Sequence, residues 1–287
     1  MSPSDSSRAA HGGRDKSGEG GFSLVELLIT MVVAVLLGVA VVRFYKDSYH
    51  AYSMQDQIAD RNQNAQFTLG KMVEVLQQAG SVLPDSGWPV IKVSSGVLTV
   101  GINPRGAQQY NSTDAPASYF IPVMDGSKFI NTGNVLLNTT HVLVQFADPL
   151  KAVQKLNIDL SYNSGGFSAG VKNNGAGLDS IRVTTQIDLS DGDKIYGYRE
   201  DEYSLSGSDL VIRPNGNVAL QMVLSENIDS IGFTFKTGAG AATTTWSKMR
   251  SASITVRART ERPDPKLPAP GYHKISLPMN VILRNRI

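Results

Sequence analysis

From Phe22 to Val42 the chain runs for 21 residues with only three polar side chains, Ser23, Glu26 and Thr30. At about 1.5 Å of rise per residue, a helix of this length measures about 30 Å, the thickness of a bilayer core. The pattern therefore predicts a membrane-spanning helix. A secretory signal would carry a shorter apolar region, about 7 to 15 residues, with a small-residue cleavage site after it. Here Arg43, Phe44 and Tyr45 follow instead, the cationic and aromatic anchors of an interfacial edge.

The helical pattern continues beyond the apolar run. Ala65, Leu69, Met72, Leu76 and Ala79 recur at the spacing of one helix face, Gly80 supplies a stop, and Pro84 lies just beyond. One helix from Phe22 to about Ala79, about 85 to 90 Å long, is predicted. Its first half suits a membrane or a filament core, and its second half packs on a head; Met72 and Leu76 read as core contacts. From residue 81 the texture changes to short runs of valine, isoleucine, threonine and tyrosine. All but one of the 13 prolines lie there and punctuate those runs.

Strands are predicted at 90–93 and 97–102, a hairpin across Ser94-Ser95-Gly96, and at 142–146, 156–162, 181–187, 203–205 with 210–212, 231–235, 254–258 and 275–283. The stretch NSGGFSAGVKNNGAG, Asn163 to Gly177, reads as a mobile loop. No internal repeat is visible. The expected class is α+β, a long amino-terminal helix on an antiparallel, β-rich head, divided into 1–21, 22–80 and 81–287.

The 287 residues carry a net charge of +2 and contain no cysteine. The charge balance excludes a polyanion binder by composition, and the missing cysteines exclude a disulfide framework, a thiolate metal site and a cysteine nucleophile. A head of this size has room for a substantial core.

Glu26 breaks the apolar run. A charge inside a spanning helix costs about 2.5 to 3.5 kcal/mol at the centre and persists where a partner or a function compensates it. Ahead of it, residues 1–21 are small, polar and glycine-rich and end in Gly20-Gly21. The join Gly21-Phe22-Ser23-Leu24-Val25-Glu26, with an unbroken apolar helix behind it, resembles the processing site of type IV prepilins. The resemblance implies that a membrane prepilin peptidase cuts after Gly21 and methylates the new amino terminus at Phe22. The freed amine would then attract the Glu26 carboxylate of a neighbouring subunit and set axial register. The alternative is a tolerated glutamate that snorkels to the interface.

Further segments, QNAQFTLGKMVEVLQQAG, LDSIRVTTQ, YSLSGSDLVIRP, VLSENIDSIGFTF, SASITVRART and VILRNR, resemble the PilW-type minor pilins in their order. J-type pseudopilins of type II secretion systems share the plan. Major pilins of type IVa pili commonly have a carboxy-terminal disulfide and a proline about twenty residues into the mature chain. This chain lacks the cysteines and has Arg43 in that region. The resemblance implies a minor pilin that helps to prime assembly at or near a pilus tip. Its partners would be the prepilin peptidase, other minor pilins, the major pilin and the inner-membrane assembly platform. It would be a single-pass bacterial inner-membrane protein with a periplasmic head before it enters the pilus. Family members that cap the extreme tip often lack the glutamate, so Glu26 implies a neighbour on the tip side.

The head offers little catalytic chemistry. His11, His50, His141 and His273 are far apart with no HExxH pair, and no phosphate-binding GxxxxGK[ST] or nucleophile GxSxG occurs. No enzyme, metal or cofactor is expected. Asp191-Gly192-Asp193, with Asn173, Asn174 and Asp179, could offer oxygens to calcium, but its spacing is that of a turn. Between Lys248 and Arg286 nine basic residues stand against two acidic ones, a local net charge of +7. If Ile254, Val256 and Ala258 face the core, Arg257 and Arg259 share the outer face. Such a face could meet the phosphates of nucleic acid, although no aromatic interleaving favours base stacking; a solvated face or an acidic partner pilin is the alternative.

Overall fold

In a computed structural model of the protein, the residues described are 23–81, 83, 88–103, 108–110, 115–123, 140–162, 171–173 and 179–283. The chain divides into two compact units, 1–55 and 56–287. Helix α1 is Leu24–Gln78. Up to Gln55 it is exposed or half-buried all round. From Ala65 onward Ala65, Thr68, Leu69, Met72, Val75 and Leu76 are buried, together with Ala79 just past its end. This is the predicted face, widened by Thr68 and Val75. Gly80 ends the helix at φ +75°, a left-handed value that glycine adopts without strain, and its N–H donates to the Gly101 carbonyl at 3.2 Å.

The head is antiparallel throughout. Strands β1 (Ile91–Ser94), β2 (Val97–Ile102), β9 (Lys194–Ser206), β10 (Asp209–Pro214) and β11 (Met222–Ser225) follow one another in the largest sheet. Strands β3 (Gln108–Tyr110), β5 (His141–Gln145) and β6 (Gln154–Asn157) join it through β9. A second sheet has the order β12 (Ile228–Lys236), β13 (Ser251–Arg259), β14 (Lys274–Ile282). A third has the order β4 (Ala115–Val123), β8 (Asp179–Leu189), β7 (Val171–Asn173). The chain is thus α+β, a long apolar amino-terminal helix on an antiparallel β head, in a pilin-like layout.

The predicted hairpin is β1–β2, with Ser94 opposite Val97. Strand β4 escapes the sequence pattern because Pro116 and Pro122 interrupt it. Proline removes a ladder donor and is tolerated on an edge strand, and β4 is one. The expected loop 163–177 is corrected in part: Val171–Asn173 pair with Ile181–Asp179, since backbone pairing needs no apolar side chains. The rest of that stretch, and Pro84, lie outside the described residues.

Two apolar cores flank β9. The first joins the α1 face to Leu98, Val100, Tyr203 and Leu210 of the largest sheet and to Ile254, Val256 and Ala258 of β13. The second gathers Ile121, Val142, Val144, Leu156, Ile181, Val183 and Ile195. Between them on β9, Arg199 Nη2 meets Asp201 Oδ2 at 2.6 Å, with Arg199 7% and Asp201 1% exposed. Burial pushes the Asp201 carboxyl up, against the hydrogen bonds from Arg199 and from the Asn215 N–H. Removing one member of such a pair strands the other charge. Asp201→Ala is expected to cost about 3 to 5 kcal/mol, and Arg199→Met with Asp201→Leu together much less, as read by urea unfolding of the detergent-solubilised chain.

Gly101 is required for a different reason than Gly80. A Cβ there would stand 2.5 Å from the Tyr198 ring and 2.6 Å from its hydroxyl, and Tyr198 is fully buried. Gly70, exposed on α1, would have nothing within 4 Å of its Cβ. The same substitution should therefore have opposite signs. Gly101→Ala is expected to destabilise by about 1 to 3 kcal/mol through overpacking. Gly70→Ala should stabilise by about 0.5 to 1 kcal/mol through helix propensity. The shifts in urea midpoint check both.

Candidate functional site

The amino-terminal site begins where the described residues begin. Gly21 and Phe22, the expected cleavage and methylation positions, lie outside them. Leu27 N–H donates to the Ser23 carbonyl at 3.1 Å, which closes the first turn, and Glu26 is the acidic residue of that turn. A carboxylate suits the partial positive charge of a helix amino terminus. Thr30 turns its hydroxyl onto the Leu27 carbonyl at 2.8 Å, which satisfies it within the helix. Ser23, Glu26 and Thr30 are three and four residues apart and share one stripe. Every other side chain from Leu24 to Val42 is apolar or glycine, and Leu24, Leu28, Met31, Val35 and Leu36 are each more than half exposed. Mean hydropathy in this helix reaches 2.8, so it is long and apolar enough to cross a membrane.

The basic region folds as predicted, and folding brings carboxylates to part of it. Ile254, Val256 and Ala258 are fully buried, which puts Arg257 and Arg259 on the other face of β13. Arg257 is exposed. Arg259 is half-buried, with its guanidinium 4.6 Å from the Tyr272 ring centroid. Arg259 also lines a 280 Å³ polar cavity with Asp60, Arg61, Glu226 and Glu261. Nearby, Lys274 pairs with Asp229 at 2.9 Å. Three of these carboxylates, Asp60, Glu226 and Asp229, come from outside the segment 248–286, so folding supplies counter-charge that a linear count misses. Arg284 and Arg286 lie outside the described residues.

Asp193 explains its own neighbourhood. Its carboxylate accepts the N–H groups of Ala147 at 2.8 Å and Ser190 at 2.9 Å and is 2% exposed, so it ties a turn to the end of β5. Among the described residues, no three histidine, cysteine or acidic groups gather into a metal-binding cluster.

Sequence reasoning missed one polar cluster. Glu200, Lys155, Tyr198, His141 and Trp88 come from β9, β6, β9, β5 and the segment before β1. Lys155 Nζ stands 3.0 Å from Glu200 Oε2, the Tyr198 hydroxyl donates to Glu200 Oε1 at 3.0 Å, and Trp88 Nε1 donates to the Tyr198 hydroxyl at 3.1 Å. Burial and the adjacent Glu200 carboxylate push the Tyr198 phenol up, while Lys155 and Tyr198 hold the Glu200 carboxylate ionised and below its usual range despite burial. Only the alternation of β9, in which Tyr198 and Glu200 share a face, could have signalled it.

The chain matches no family model, no curated protein and no solved structure.

His141 in this cluster is held down to about 4, first by burial and then by the Lys155 cation, with Glu200 opposing. A neutral histidine of this kind contributes stability that is present above its unfolded value near 6.5 and lost as pH falls towards 4. Between pH 7 and 4, unfolding free energy should fall less steeply in His141→Gln than in the wild-type chain, as measured by urea unfolding at each pH.

Proposed function

We propose that this protein is a non-enzymatic assembly subunit of a type IV pilus, a minor pilin of the PilW type that acts at or near the tip. One observation carries the reading. From Leu24 to Val42, α1 exposes an apolar surface interrupted by a single carboxylate, Glu26, while its carboxy-terminal turns, Ala65 to Leu76, bury a face in the β head. The Gly21-Phe22 junction ahead of it gives that arrangement a cause. After cleavage the amine of Phe22 and the Glu26 carboxylate of a neighbour form a pair in low dielectric, where an unpaired carboxylate is costly. The helix is the membrane anchor of the unassembled subunit, in the bacterial inner membrane with the head in the periplasm, and the filament core of the assembled one. Glu26 requires a subunit on its tip side, so this chain lies within the tip complex.

The nucleic-acid reading of Arg257 and Arg259 loses ground to the carboxylates around Arg259. Those two side chains fit a solvated face or a polar contact with another subunit. The prepilin peptidase, other minor pilins, the major pilin and the assembly platform remain the proposed partners.

Cleavage and docking separate experimentally. Gly21→Asp should abolish the mass decrease that accompanies processing, together with incorporation into sheared pili. An unchanged mature mass and unchanged incorporation would overturn the reading. Glu26→Gln should be cut normally yet co-purify with partner minor pilins at least tenfold less, whereas Glu26→Asp, which keeps the charge on a shorter reach, should lose less. Wild-type piliation in Glu26→Gln would return this residue to a tolerated interfacial one. Recovery of the chain with secretion pseudopilins instead of pilus subunits would move the assignment to a secretion system.

A further inference from the structure

We infer that the outer edge of β12 is a strand-addition site, which receives an extended, uncharged segment of a partner protein with alternating apolar side chains. β12 pairs with β13 on one side. On the other side both ends are occupied. Thr243 donates its N–H to the Phe235 carbonyl at 2.8 Å, and Ile228 donates to the Ser208 carbonyl at 2.7 Å. Between those contacts no strand pairs with the outer edge of 229–234 among the described residues. Backbone direction alternates along a strand, so with the Phe235 carbonyl turned outward, the amides and carbonyls of Phe233 and Ile231 also face outward. The open window is about 20 Å long at about 3.3 Å per residue, enough for a six-residue strand.

The surroundings of the window fit side chains from such a strand. Beside it lies a 360 Å³ cavity where Met72, Tyr203, Leu205 and Leu210 stand opposite Ile231 and Phe233. A second cavity of 550 Å³, bounded by Val93 and 242–245, shares Phe233 with the first. No charged side chain lines either cavity, which selects a neutral segment. Asp229, at the end of the window, is already paired with Lys274 at 2.9 Å. A small apolar molecule could fill the cavities. Only an extended backbone matches a row of alternating donors and acceptors, which gives affinity, while cavities beside the row give side-chain selectivity.

The inference stands apart from the filament reading and is tested without it. The full chain in detergent is titrated with capped heptapeptides that alternate threonine with valine, leucine, isoleucine or phenylalanine. Amide exchange is read residue by residue. At least one peptide should slow exchange at Ile231 and Phe233 tenfold or more. Its counterpart, N-methylated on the edge that faces β12, keeps the side chains and should lose that protection. Ser230→Tyr, which fills the cavity from its half-buried rim, should weaken binding at least tenfold while exchange in β13 stays unchanged. Protection by no peptide in the panel overturns the site. Equal binding of the N-methylated peptide would overturn strand pairing in favour of an apolar-molecule cavity. Self-association through this edge, abolished by Ser230→Tyr, would assign it to a second copy of the chain instead.

Discussion

The head depends on strand β9, which changes its neighbours on both sides at the buried pair Arg199–Asp201. On one side β2 ends with Ile102 opposite Arg199, and β3 begins its pairing opposite Tyr196. On the other, β10 ends with Pro214 opposite Asp201, and β5 begins with His141 opposite Tyr198. One thirteen-residue strand therefore carries two half-sheets. Residues of odd number on β9 share a face, which places Ile195 in one apolar core, Tyr203 in the other and the ion pair in the gap between them. A polar relay fills the gap: the Asn215 N–H donates to the Asp201 carboxylate, and the Thr140 hydroxyl donates to Asn215 Oδ1. Asn215 sits at φ +56°, a left-handed value that asparagine tolerates better than most residues. The Arg199 Nε and Nη1 atoms and Asp201 Oδ1 have no partner among the described residues, so the pair is costly to bury. Both of its members stand on β9, so the pair by itself sets no register; the Asn215 N–H on the Asp201 carboxylate is what ties the end of β10 to β9 at that point.

The same logic of environment divides α1. A helix that is apolar all round needs apolar surroundings, and one with a stripe packs the stripe and wets the rest. Residues Leu24 to Val42 are of the first kind and Ala65 to Leu76 of the second, with no break in the backbone between them. Thr30 bonds back to its own helix, whereas the Thr68 hydroxyl is buried in the head core without a partner among the described residues, a cost borne on the packed face.

Much of this was legible in the chain. Period 3.6 located the buried stripe, since Ala65, Leu69, Met72, Leu76 and Ala79 all face the core. Gly80 was readable as a stop because little else accepts its backbone angle. The β class and most strands followed from β-branched runs between turns. Legibility failed where tertiary pairing overrode local signals. Pro116 and Pro122 hid β4, whose edge position forgives them, and of β9 only 203–205 was read, because charges and a glycine mask its start from Lys194 to Glu202. Partners distant in sequence could not be read at all: Lys155 with Glu200, or Asp60 and Glu226 beside Arg259.

Arg259 and Glu26 show why a charge count along the chain is a weak guide and a charge count in space a strong one. Arg259 lies in a segment of net charge +7, yet it ends on an aromatic ring among carboxylates gathered from elsewhere. Glu26 is the reverse case. Its helix carries no cation before Arg43, which is 17 residues and about 25 Å away along the axis. The side chains within one helical turn of it are Ser23, Thr30 and apolar residues, and none can neutralise a carboxylate. In the head, folding brings distant chain segments together to satisfy a charge. A lone helix in an apolar medium has no such recourse, so a partner for the Glu26 carboxylate has to come from outside Leu24–Gln78. A carboxylate on an apolar stretch of helix is met only by water at an interface or by a group from outside that stretch.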